Sequence, residues 1–180
     1  MPFFNVGGPV NEFELTPGMP RPLAVSISDK ARERDGLTTA VLVEAFGYQD
    51  DTEKLRITVP KQFWTDFASI PAWARGVVSP FGRHAKAAVI HDWLYAVGEP
   101  GQKDVADRVF AHAMVELEVA AWVRELMHSA VSLGGGAAFA RADHDWPSTF
   151  SDPVTGAAVG PLFARPQAYV GQPHGAVRIP

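Results

Sequence analysis

The chain has 180 residues, no cysteine, Lys+Arg 16 against Asp+Glu 20, and a formal net charge of −4. These figures exclude disulfides, zinc–thiolate centres and a cysteine nucleophile, and no Lys/Arg run offers nucleic-acid phosphates a basic face. The hydrophobic fraction of 47% suits one globular domain with terminal extensions.

Residues 1–22 contain five prolines (Pro2, Pro9, Pro17, Pro20, Pro22) and three glycines. They read as an irregular arm with one short strand, Glu12–Leu15. The opening Met1-Pro2-Phe3-Phe4-Asn5 lacks a charged n-region and a long apolar run, so export by a signal peptide is not expected. From Leu23 the pattern turns β. Leu23–Ile27 is a first strand, Arg34-Asp35-Gly36 a turn, and Thr38–Phe46 a strand rich in β-branched and apolar residues. Gly47–Asp51 reads as a second turn. Leu55–Val59 alternates and is stopped by Pro60.

The middle of the chain is helical. Ser69-Ile70-Pro71 starts a short helix with proline in its first turn. Arg83–Val97, Lys103–Glu118 and Ala120–Leu133 follow as longer helices, separated by Gly98-Glu99-Pro100-Gly101 and closed by Gly134-Gly135-Gly136. The uncharged stretch Met127–Ala140 is too short to span a membrane. Ala142–Pro180 has six prolines and four glycines, and neither Lys nor Glu. It keeps Trp146, Phe150, Phe163 and Tyr169, so it reads as an extended arm lying on its own domain or on a neighbour. The expected fold is therefore α+β: a small N-terminal antiparallel sheet, then a bundle of about three helices. One domain covers 23–141, with Pro/Gly-rich arms at 1–22 and 142–180.

Chemistry concentrates in Ala87-Ala88-Val89-Ile90-His91-Asp92-Trp93-Leu94-Tyr95. An apolar helix does not take His and Asp side by side without hydrogen-bond or ionic partners. At helical spacing His84, Ala88, His91 and Tyr95 share a stripe, with Asp92 at its edge. The loop to the next helix is short, which makes the two helices antiparallel neighbours and lets Asp107 face His91. A histidine oriented by a carboxylate is the minimal general-base unit. Asp92 is a candidate metal ligand. Structural roles compete at each position. Asp92 can pair with Arg83, Lys86 or Arg108, Asp107 with Lys103 at spacing four, and His91 with a backbone carbonyl. Asp66 and Ser69 either cap the short helix that follows or, for Asp66, contact the His91 region. His84, His112 and His128 read as solvated or satisfied in the core.

Two runs carry a resemblance. Val59-Pro60-Lys61-Gln62-Phe63-Trp64-Thr65-Asp66-Phe67-Ala68-Ser69-Ile70-Pro71 and His91-Asp92-Trp93-Leu94-Tyr95, followed by Ala106–Phe110, resemble an uncharacterised-domain family of tailed bacteriophages, prophages and bacteria. Its signatures are V-P-x-G-F-x-T-D-F-A-S-x-P and H-D-x-x-Y, and the likeness spans about Leu23 to Leu133. Gln62 stands where the pattern has Gly. This resemblance, with the two arms, implies a virion or tail-associated protein. It would be made in the host cytoplasm and held in an oligomeric assembly by other virion proteins contacting 1–22 and 142–180.

H-D-x-x-Y followed by an Asp on the next helix is also similar to the secreted and parvoviral phospholipases A₂. By that resemblance His91 is the base, Asp92 a Ca²⁺ ligand, and Tyr95 and Asp107 the supports. The function implied is hydrolysis of a lipid or another ester. The glycine-rich calcium loop of those enzymes is absent here; only Ser79-Pro80-Phe81-Gly82 stands before the histidine.

Overall fold

A computed structural model describes residues 2–5, 22–27, 39–68, 78–79, 81–167 and 175–180. The expected strand at Glu12–Leu15, the Arg34–Gly36 turn, the short helix at Ser69–Pro71 and Tyr169 lie outside these residues.

Among the described residues the β half holds two small antiparallel sheets, and a two-stranded antiparallel pair follows later in the chain. One has β1 (Phe3–Asn5), β4 (Phe46–Asp50), β5 (Leu55–Val59) and β9 (Gly175–Arg178), in the order β1-β4-β5-β9. The other has β2 (Val25–Ser26), β3 (Ala40–Leu42) and β6 (Trp64–Thr65), in the order β2-β3-β6. Alternation in β5 works as the sequence suggests. Leu55, Ile57 and Val59 are buried and Arg56 faces out.

The expected single strand over 38–46 is corrected. It breaks after Leu42, and Gly47–Asp50, expected as a turn, is the body of β4. The reversal comes later, at Asp51–Lys54, because the buried Asp50 accepts the amides of Thr52 and Glu53 at 2.9 Å each. Tyr48 and Asp50 point the same way, into the protein, where Asp50 also bonds His112 at 2.8 Å. Glycine and aspartate mimic a turn signal here, but burial of Tyr48 decides the conformation.

The helical half is α1 (Ala85–Val97), α2 (Lys103–Glu116) and α3 (Ala121–Gly134), then the short α4 (Gly136–Ala140) and α5 (Ala142–Asp145). Helix α1 is the centre of the molecule. Ala87, Ala88, Val89, Ile90, Trp93, Leu94 and Val97 are all buried, which marks a helix surrounded on most sides. It packs on α2, α5, β5 and β9.

The described parts of both terminal segments lie on their own domain. β1 pairs with β4 and β9 with β5, so the chain ends form the two edges of the larger sheet. After α5, a 3₁₀ turn at Trp146–Ser148 leads into β7 (Phe150–Ser151) and β8 (Ala158–Val159). Trp146, Phe150 and Phe163 stack on one another, with Trp93 of α1 completing the cluster. Arg165 donates to the carbonyls of Ala96 (2.9 Å) and Gly98, and pairs with Asp143.

Gln62 adopts φ +67°, the left-handed region that glycine enters freely. It is locked there because its amide bonds the Leu42 carbonyl (2.7 Å) and its carbonyl accepts the Ser151 amide (2.9 Å). The left-handed conformation costs a side-chain-bearing residue roughly 1–2 kcal/mol, against about 0.5–1 kcal/mol of extra chain entropy lost by glycine on folding. Gln62→Gly is therefore expected to stabilise by about 0.5 kcal/mol, read as a higher urea midpoint at unchanged slope. A lower midpoint would mean that the Gln62 side chain stabilises the fold.

Candidate active site

Three elements converge. Helix α1 presents His91, Asp92 and Tyr95, α2 presents Asp107 and Lys103, and β6 with the turn after it presents Thr65, Asp66 and Ala68. His91 and Asp107 are buried, 2% and 3% exposed, and bond through His91 Nε2 and Asp107 Oδ1 at 3.0 Å. The Tyr95 hydroxyl donates to the same oxygen at 2.8 Å. Lys103 Nζ donates to Asp107 Oδ2 at 2.7 Å and to the carbonyls of Val131 (3.1 Å) and Ser132 (3.2 Å) near the end of α3. Lys103 and Asp107 are spaced i, i+4, so one turn of α2 supplies both.

Asp107 therefore takes donors on both oxygens. Burial alone would raise its pKa, but His91, Lys103 and Tyr95 outweigh burial and hold it at about 2. An ionised Asp107 draws the imidazole proton to Nε2 and leaves Nδ1 as an acceptor. Burial would also lower His91, yet Asp107 and Asp92 overcome it and its pKa is raised. The Tyr95 phenol is pushed up by burial and then by Asp107, so it stays a donor. The imidazole lies against the Tyr95 and Phe110 rings, at centroid distances of 4.0 and 4.9 Å.

His91 Nδ1 is buried and has no hydrogen-bond partner in the protein. His91 is one of the residues lining a cavity of about 440 Å³. Small residues at the end of α3 and along α4 wall one side: Ala130, Val131, Gly134, Gly135, Ala137 and Ala138. Asp66, Asp92, Arg141, Ser148 and Thr149 also line it. Gly135 is required by close approach. A Cβ there would sit 2.3 Å from the Tyr95 hydroxyl and 2.6 Å from the Val131 carbonyl oxygen.

Among the described residues Asp92 forms no ion pair with Arg83, Lys86 or Arg108; Arg83 bonds Glu118 at 3.3 Å and Arg108 bonds Glu53 at 2.6 Å. It accepts instead from the Thr65 hydroxyl (2.5 Å) and the Ala68 amide (3.1 and 3.2 Å). Calcium needs six to eight oxygen ligands. Among the described residues no group of three or more His, Cys, Asp or Glu side chains stands together to hold a metal. Both Asp92 oxygens already receive protein donors. The described residues do not fit Ca²⁺, and Asp92 is not assigned as a metal ligand.

Asp66 lines the same cavity as His91, and Ser69 lies outside the described residues. Sequence reasoning missed Thr65 as a partner of Asp92. It also read Lys103 only as a competing structural partner of Asp107. The i, i+4 spacing signalled the lysine, but nothing local signalled a contact 27 residues apart.

The family described as "Protein of unknown function (DUF1353)" matches residues 40–131, more than half of the chain, and the chain belongs to that family. No curated protein and no solved structure matches it. Among the described residues no helix is long and apolar enough to cross a membrane.

Proposed function

We propose that this member of the family is a hydrolase in which His91 activates water against an ester of an apolar acid. The observation that carries this is the His91 imidazole. Its Nε2 is held by an ionised carboxylate, Nδ1 is buried and has no hydrogen-bond partner, and the residue is among those lining a cavity. A ring nitrogen held by a carboxylate and a second one left as an acceptor is the arrangement of a general base.

The step balances without a cofactor. His91 Nδ1 takes a proton as the water oxygen bonds the ester carbonyl carbon. The tetrahedral intermediate then expels the alcohol, which leaves with the proton from His91 Nδ1. Asp107 stays ionised throughout and stabilises the imidazolium. The wall of alanines and glycines leaves room for the acyl portion, as an apolar pocket with few polar groups does.

The likeness to phospholipases A₂ in His91, Tyr95 and Asp107 supports a lipid ester as one substrate. A role as a virion or tail component is the second reading, implied by the family resemblance together with terminal arms in need of a partner. The described parts of both arms lie on their own domain, so the arms lend that reading less support than the site lends hydrolysis.

The test is turnover of p-nitrophenyl esters of increasing acyl length, and of phospholipid vesicles, by the full chain and by His91→Gln. Hydrolysis lost in the variant supports the reading. No turnover of any ester, or equal turnover by both proteins, overturns it. Filling the cavity checks the acyl assignment. Ala137→Phe is expected to lower the long-chain to short-chain turnover ratio by about tenfold, the low end of what one methylene is worth in an apolar pocket. An unchanged ratio would place the acyl group elsewhere.

A further inference from the structure

We infer that Asp92 holds the attacking water against His91 in place of a metal ion, and that Thr65 is the positioning residue that fixes its carboxylate for this. The inference rests on the hydrolase reading and gives Asp92 a role there different from metal binding.

The distances carry it. Asp92 Oδ1 lies 3.9 Å from His91 Nδ1. That is too long for a hydrogen bond and suits one water bonded to both. His91 Nδ1 is buried and has no hydrogen-bond partner, and with the ring proton on Nε2 it is an acceptor. Asp92 supplies the second acceptor. Two acceptors around one water orient its protons and leave an oxygen lone pair free for the carbonyl carbon.

A carboxylate can do this only if its plane is fixed. Thr65, 1% exposed, donates its hydroxyl to Asp92 Oδ2 at 2.5 Å. The same oxygen of Thr65 accepts the Phe67 amide at 3.1 Å. The Ala68 amide then reaches both Asp92 oxygens. Phe67 and Ala68 take φ +58° and +59°, consecutive left-handed positions that residues with side chains rarely adopt. Backbone strain of this kind persists where surrounding bonds over-determine it, and here those bonds aim an amide and a hydroxyl at one carboxylate. The hydroxyl and the amide fix the orientation of the carboxylate without a metal ion.

The experiment uses the full chain and a short-chain ester, with kcat and KM measured in EDTA and in added CaCl₂. Calcium binding is read separately by titration calorimetry on the wild type and on Asp92→Asn. EDTA and calcium are expected to leave the wild-type rate within about twofold, with no calcium heat. Thr65→Val is expected to cut kcat by about 10²-fold, the scale of a small misplacement of reacting groups, with KM little changed. Thr65→Ser, which keeps the hydroxyl, restores most of that loss, whereas a hydroxyl acting only through stability would move the melting temperature and not kcat at a temperature where the variant is folded.

Stoichiometric calcium binding that disappears in Asp92→Asn, together with loss of rate in EDTA, overturns the inference and leaves the hydrolase reading standing. An unchanged kcat in Thr65→Val overturns the role of Thr65. If Thr65→Val does not fold, Thr65→Ser and the wild-type metal measurements still decide. A wild type that hydrolyses no ester removes the hydrolase reading and this inference together.

Discussion

His91→Gln is expected to lower kcat/KM for ester hydrolysis by about 10³–10⁴-fold, at the upper end of what a positioned general base contributes. Glutamine is close in size, and its amide can still donate to Asp107, so the fold and the cavity should survive. The lost element is the acceptor at Nδ1. The wild-type rate should follow the neutral imidazole. Because the carboxylates of Asp107 and Asp92 raise His91 above 6.5 against the effect of burial, the limb of the pH–rate profile should rise with pH through a value above 6.5. In His91→Gln that limb is absent.

Stability follows the same group with the opposite sense. A pKa raised on folding contributes stability that is fully present below about 6.5 and is lost as pH rises through the folded value. Urea midpoints should therefore fall with pH across that window in the wild type, and fall less in His91→Gln. A limb centred below pH 6.5, or a variant with wild-type turnover, would remove His91 from the chemistry.

The legible part of this site was its helical part. His91, Asp92 and Tyr95 share one helix, and Asp107 shares the next with Lys103. Spacing along α-helices fixes which side chains share a face, and a short loop makes the helices neighbours. That is enough to bring Asp107 to His91 from sequence alone. The partner of Asp92 was not legible. Thr65 reaches it from a two-residue strand and the Ala68 amide from the left-handed turn that follows, and neither feature has a period or a propensity to read. The cavity was illegible for a related reason. Ala130, Gly134, Gly135, Ala137 and Ala138 look like ordinary helix formers and breakers until α4 folds back beside Tyr95.

In the sheet, the error at Gly47–Asp50 has the same origin. Glycine and aspartate carry turn propensity, but the alternate burial of Tyr48 and Asp50 overrides it. The terminal segments show how composition can mislead about order. Proline and glycine forbid long regular elements, yet two edge strands and a cluster of aromatic rings hold the described parts of these segments.

The substitution with the largest expected cost to both stability and rate is Asp107→Ala. Asp107 is the common acceptor of a buried imidazole, a phenol and an ammonium that is itself largely shielded. Removing it strands the imidazole and the phenol and leaves the ammonium with only the Val131 and Ser132 carbonyls. Breaking a buried charge network from one side costs about 3–5 kcal/mol, which for a chain of this size lowers the melting temperature by about 10 °C.

Asp107→Asn separates the two effects. It keeps the volume, but its amide can donate to His91 Nε2 and so shift the ring proton to Nδ1. The base then points a proton where it needs a lone pair. A wrong tautomer of this kind costs up to about 10⁴-fold in rate, with a smaller loss of stability than the alanine variant. Acid provides the control. Burial opposes ionisation of Asp107, but His91, Lys103 and Tyr95 hold its pKa at about 2. Its contribution, about 2–3 kcal/mol from the downward shift, is complete above the ordinary carboxylate range and is lost as pH falls toward 2. Urea midpoints of the wild type should decline over that window, and those of Asp107→Asn should lack this part of the decline. If the two proteins lose stability in parallel as acid is added, Asp107 is not the ionised centre of the network, and the tautomer assigned to His91 falls with it.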